Sequence, residues 1–278
     1  MATGLLNPTF STVLSNEVLP VQPSITNLTY DLQFFGPAVS CQQSLDQDYQ
    51  LAKRAILDYE NMTNSRVFYF GWAPQAGWGP GVNGSFFAST DLQIGNNRLD
   101  FLSSDAARIF IYLNTTGVDE SGSPIPFDGT ADAQMITCYL YNASYATHFD
   151  IRSTGEQRIA ANTTFQNWMP ALNTVPGIPE DPRVSRQMNM QAVMEAFAMM
   201  NTGPVQYSND ISFPTTNSVY ALSMNPNYFP SQPGLNQTQM TLRKARQNEE
   251  LFQNITLSMR YSLVSGYVAS ARHPDLGD

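Results

Sequence analysis

The sequence predicts an α+β protein: an antiparallel sheet or sandwich with one inserted helix fills the first 165 residues, and a helix-rich part follows. Three observations predict it. Short segments of period-2 alternation dominate residues 26–166, as half-buried strands require. Two long segments within 167–266 place apolar residues at helical spacing instead. Stretches rich in Gly, Pro and Asn punctuate both parts where turns belong.

Residues 1–25, with Pro8, Pro20 and Pro23, lack periodicity and read as an extended arm. LTYDLQFFG (28–36) alternates as a strand, and Gly36-Pro37 is expected to end it. Ser44 and Gln47 then form a capping box. Leu51, Ala52, Ala55, Ile56 and Tyr59 make the apolar stripe of the inserted helix. RVFYFGW (66–72) is the next strand, followed by a Gly- and Pro-rich loop carrying Trp78. FFASTDLQI (86–94) and RLDFLSS (98–104) read as a hairpin about Gly95-Asn96-Asn97, residues that tolerate the positive φ such turns need. RIFIYLN (108–114) is a further strand, and 117–129 a polar loop. MITCYLYN (135–142) and SYATHFDIR (144–152) read as two strands with Asn142 at the turn between them; EQRIAAN (156–162) follows.

NWMPALNTVPGIPEDP (167–182) reads as a proline-rich connector. Residues 185–203 form a helix striped by Met190, Val193, Met194, Phe197 and Met200, stopped by Gly203-Pro204. A turn-rich, aromatic stretch (204–237) leads to a long helix, about Thr238 to Leu263, with Leu242, Ala245, Leu251, Phe252, Ile255 and Met259 as its apolar face. Residues 26–166 and 167–266 are read as one continuous globular unit, and 267–278 as a flexible tail.

Composition narrows the function. Hydrophobic content of 42% and aromatic content of 12% provide for a packed core. Charged residues are only 13%, Lys53 and Lys244 are the only lysines, and net charge is −9. Nucleic-acid binding needs cations that displace phosphate counterions, so that partner class is excluded, as is docking on anionic lipid through a basic patch. No run of about 18 apolar residues is present for a spanning helix, and the N-terminus shows no basic and apolar regions of a signal peptide.

Eight N-x-S/T sequons fall at Asn27, Asn61, Asn83, Asn114, Asn142, Asn162, Asn236 and Asn254. With 22 Asn and 46 Ser plus Thr among 278 residues, chance supplies about four. The twofold excess and even spread point to the secretory pathway, with N-linked glycans as the first expected partner. Cys41 and Cys138, the only cysteines, are expected to bridge in that oxidising compartment.

Catalytic templates are absent. His148 and His273 are the only histidines, and there is no H-E-x-x-H, C-x-x-C, P-loop, G-x-G-x-x-G or G-x-S-x-G. Neither a metal site nor a cofactor is expected. His148 reads as a surface histidine, Glu195 as solvent-facing, and the methionines of 188–200 as core filler rather than copper ligands. Trp72 and Trp78, beside flexible glycines, are the candidate ligand-stacking aromatics, against the plainer reading of rings covering a core edge. A hydrolase with two carboxylates across a cleft is the alternative to a non-catalytic domain.

YDLQFFGPAVSC (30–41), TCYLYNASYATHFDI (137–151) and EELFQNITLSM (249–259) resemble blocks of a fungal family of large membrane-anchored proteins of unknown function, sometimes labelled formylmethionine deformylase-like. The resemblance implies a luminal or extracellular ectodomain whose membrane anchors lie in flanking segments. Its expected role is non-catalytic: recognition, wall organisation or self-assembly, with cell-wall polysaccharide or other copies as partners. The deformylase label itself finds no support, because peptide deformylases bind metal through a Cys and an H-E-x-x-H pair, and that pair is missing.

Overall fold

A computed structural model describes residues 12, 17–19, 27–63, 66–72, 102–113, 135–152, 154, 156–172, 182–201, 203–207 and 237–270. The expected hairpin turn at 95–97, the loop 117–129, the aromatic stretch 208–236 and residues 271–278 lie outside them. The elements run β1 (Leu28–Gln43), α1 (Asp46–Thr63), β2 (Arg66–Trp72), β3 (Leu102–Ala106), β4 (Arg108–Leu113), β5 (Met135–Ile151), β6 (Gln157–Trp168), β7 (Pro170–Leu172), α2 (Pro182–Asn201), β8 (Gly203–Tyr207) and α3 (Gln237–Ser270). The architecture is α+β: a six-stranded antiparallel sheet ordered β1-β5-β4-β2-β8, with β6 also on β5.

The central strand is longer than its sequence suggests. MITCYLYN and SYATHFDIR are one strand, β5, and Asn142 lies in its interior, opposite Pro37 of β1 and Asn167 of β6. β1 likewise runs through Gly36-Pro37 to Gln43. The reason is orientation. Pro37 shares parity with Cys41, whose N–H points away from β5 and donates to Glu249 Oε1 at 2.7 Å. At such a position proline removes no ladder donor. The connector expected at 167–182 begins as strand, since Asn167 and Trp168 end β6 and Pro170–Leu172 form β7.

β5 uses one edge for β1 and divides the other between β4 (Met135 to Tyr139) and β6 (Tyr141 to Ile151). At the fork, Leu140 N–H donates to Ala107 O (2.8 Å), Met169 N–H to Leu140 O (2.8 Å), and Ala107 N–H to Met169 O (3.0 Å). This closed ring of three bonds satisfies the backbone where the strands part. Beyond it β3 and β7 pair with each other as a separate two-stranded ribbon.

Alternation then assigns the faces. Ile136, Cys138 and Leu140 of β5, with Val39, Cys41, Ile109 and Ile111, pack against Val193, Met194 and Phe197 of α2 and Phe252, Ile255 and Met259 of α3. Phe197 and Phe252 meet edge-on, centroids 5.1 Å apart. On the other face α1 covers Phe70, Trp72, Phe110, Tyr112 and Met135 with Tyr49, Ala52, Ile56 and Tyr59. Leu242, expected on the apolar face of α3, is 52% exposed instead.

The backbone explains two glycines, one by close approach and one by its dihedral angle. A Cβ on Gly71 would stand 1.7 Å from Asn201 O at the end of α2, which also accepts from the Tyr69 hydroxyl at 2.5 Å. Gly203, with φ 128°, turns the chain from α2 into β8 in a conformation that costs other residues more. Parts of the N-terminal arm are docked: Thr12 is fully buried and bonds Ser258 Oγ. Leu19 N–H donates to the same oxygen, and Val18 packs beside Phe34 and Tyr145.

Candidate functional site

The fork leaves an aromatic strip uncovered. Tyr139 and Tyr141 alternate onto the face of β5 that α1 covers at its N-terminal end. Trp168 lies directly opposite Tyr141, and Phe165 opposite Ala143, because β6 bulges by one residue, Gln166, between them. Tyr141 and Phe165 rings meet edge-on with centroids 5.2 Å apart. Trp168 is 48% exposed and Phe165 44%, unusual for side chains of that size on a strand. On one side of the strip stands α1; on the other, Ala143 and Tyr145 are sealed by Phe34, Ala38 and Leu257.

A polar group closes the α1 end. Asp48, in the first turn of α1, accepts from the Tyr139 hydroxyl and lies 3.5 Å from Arg108, the cross-strand neighbour of Tyr139. The helix N-terminus favours a carboxylate there. Burial pushes the Tyr139 phenol well above its ordinary range, and its bond to the Asp48 carboxylate adds to the rise. Tyr139 therefore serves as a fixed donor. Beneath it Ser44 and Thr137 hydroxyls share a bond of 2.8 Å, and Ser44 N–H donates to Met135 O. The arrangement sets flat apolar rings beside a part-buried phenol–carboxylate pair, a mix of apolar and polar surface that suits a polyhydroxylated ring.

The residues singled out in sequence fare differently. Cys41 and Cys138 form a disulfide (S–S 2.04 Å), joining directly opposed residues of β1 and β5, with Cα atoms 4.0 Å apart. Trp72 is not a stacking platform: it is 1% exposed and stacked on Phe110 at 5.4 Å, because alternation turns it under α1. Trp78, Asn83, Asn114 and Asn236 lie outside the described residues. Asn27, Asn61 and Asn162 are exposed, whereas Asn142 and Asn254 are half-buried. The Asn142 Oδ1 is buried without a hydrogen-bond partner among the described residues, so this sequon does not mark a turn. His148 lies on the open face of the sheet, its Nδ1 2.7 Å from Asp31 Oδ1.

Sequence reasoning missed Phe165 and Trp168, because the chain around them reads as a connector. The signal was there in the alternation Ile159, Ala161, Thr163 and Phe165, which reaches Trp168 once a bulge at Gln166 is allowed. Among the described residues no group of three His, Cys, Asp or Glu is placed to hold a metal, and no helix is long and apolar enough to cross a membrane. Comparison of the chain with known protein families, with curated proteins and with solved structures finds no match.

Proposed function

We propose that this chain is an N-glycosylated recognition domain of a fungal cell-surface protein, and that it binds cell-wall polysaccharide through Tyr141, Phe165 and Trp168. The observation that carries the reading is the pair of half-exposed aromatic rings, Phe165 and Trp168, at the C-terminal end of strand β6. Stacking suits sugar rings because their C–H faces are apolar while their edges hydrogen-bond. Asp48, engaged by Arg108 and Tyr139, is arranged to position a hydroxyl rather than to transfer a proton, which favours binding over hydrolysis. The excess of sequons and the disulfide fit an oxidising, extracellular setting, and the resemblance described above supplies the fungal context. Membrane attachment of the parent protein would come from flanking segments.

The test is binding of the native glycoprotein to soluble β-glucan and to chitin oligosaccharides by calorimetry. W168A and F165A should each weaken binding at least tenfold, while F35A, which removes a 70% exposed ring elsewhere on the sheet, should leave it unchanged. Absence of binding to both polymers, or equal affinity of W168A, overturns the reading.

A further inference from the structure

Among the described residues the sheet has three margins, at β1, β8 and β6, and two of them are poor templates for a further strand. α3 lies along β1, where Glu249 takes the outward N–H of Cys41 and Thr256 Oγ1 donates to Pro37 O at 3.0 Å. At the far end β8 is only five residues long, and a short edge is a poor template. β6 is different. It is 12 residues long, pairs only with β5 among the described residues, carries no lysine or proline, and is exposed at 160, 162 and 164–168. Such an edge invites a strand from another molecule.

The register shows which backbone groups of β6 face away from β5. Leu140 directs both its N–H and C=O toward the side of β5 that holds β4 and β6. β5 alternates without a break against β1, so Ala146 points the same way and is bonded across to Asn162. The outward backbone groups are therefore those of Ile159, Ala161 and Thr163, and Asn162 sits between two of them. Asn162 heads the sequon Asn162-Thr163-Thr164 and its side chain is exposed.

We propose that Asn162 is a modification site whose N-linked glycan guards the open edge of β6 against strand addition by a second copy. An incoming strand would run about 4.8 Å from β6, within the space swept by a glycan rooted one residue from each open amide. This rests on the secretory reading above, but it assigns one sequon a task that the others do not share. Asn61 is exposed too, but it lies in the last turn of α1 and not on a strand.

The experiment compares native glycoprotein, N162Q, N61Q and N162Q/A160K by light scattering over a hundredfold concentration range, with peptide mapping of site occupancy. N162Q should shift from one copy to twofold or greater mass as concentration rises, and N61Q should stay monomeric. The double variant should return to one copy, because a lysine on the same exposed face blunts the edge by charge. Occupied Asn162 with monomeric N162Q overturns the guard, as does bare Asn162 while Asn27 or Asn61 is occupied. If every sequon is bare, the secretory reading itself falls, and the guard with it.

Discussion

Glu249 accepts the outward amide of Cys41 at 2.7 Å, so the helix that covers the sheet's edge is fixed at the residue that also carries the disulfide. One position of β1 thus ties together the edge strand, the central strand and α3. Burial raises the Glu249 carboxyl above its ordinary value, opposed by the Cys41 N–H and by Arg246. E249Q keeps an acceptor and should change stability little. E249L leaves the Cys41 N–H unsatisfied and should cost about 1–3 kcal/mol in urea denaturation; equal midpoints for the two variants would contradict this.

Removing the disulfide should cost more. The bridge closes a separation of 97 residues, worth about 4–5 kcal/mol through the chain entropy of the unfolded state. C41A/C138A should lose stability of that order while keeping its far-ultraviolet circular dichroism, because the strands it joins are already paired along 16 positions. A loss below about 1 kcal/mol would show that the unfolded chain holds these segments together without it.

G71A should be among the most damaging single substitutions. The new methyl group would collide with the backbone of Asn201, which a rotamer change cannot relieve. Separating α2 from β2 also breaks the Tyr69–Asn201 bond. The expected loss is about 3 kcal/mol or more, measured as a shift in denaturant midpoint.

Lys244 gives the fold a pH dependence. It is 8% exposed, and burial, with Arg243 adding repulsion, pushes its ammonium down to about 7 from an ordinary 10.5. Between those values the unfolded chain holds the proton and the folded one does not, so stability should rise with pH above about 7. The slope approaches about 1.4 kcal/mol per unit at most. It should be read below pH 9.5, because buried Tyr145 and half-buried Tyr139, with phenols raised above 10, lose their contribution to stability no lower than that. K244M should remove the rise; an unchanged profile would assign it to another group.

Glycan occupancy should follow the fold. Asn27, Asn61 and Asn162 are exposed, and Asn27 holds a left-handed φ of 51° just ahead of β1. Asn142 is flanked on both sides by paired strands. Peptide mapping should find sugar at the first three and none at Asn142; a glycan on Asn142 in folded protein would contradict the placement of that residue inside β5.

The sequence alone determined the local patterns: the α+β class, the limits of β2, the stripes of α1 and α2, and the cysteine pair. These are legible because period 2 or 3.6 and redox chemistry act over a few residues at a time. What surrounds each residue was decided by the tertiary structure. Gly36-Pro37 and Asn142 look like breaks, yet both lie within strands, since Pro37 faces outward at an edge and β5 is held on both sides. Trp72 and Trp168 are chemically alike, but one lies under α1 and the other beside an uncovered fork. Exposure depends on which neighbours the topology supplies, and those neighbours come from other elements: α1 and β4 for Trp72, β5 for Trp168.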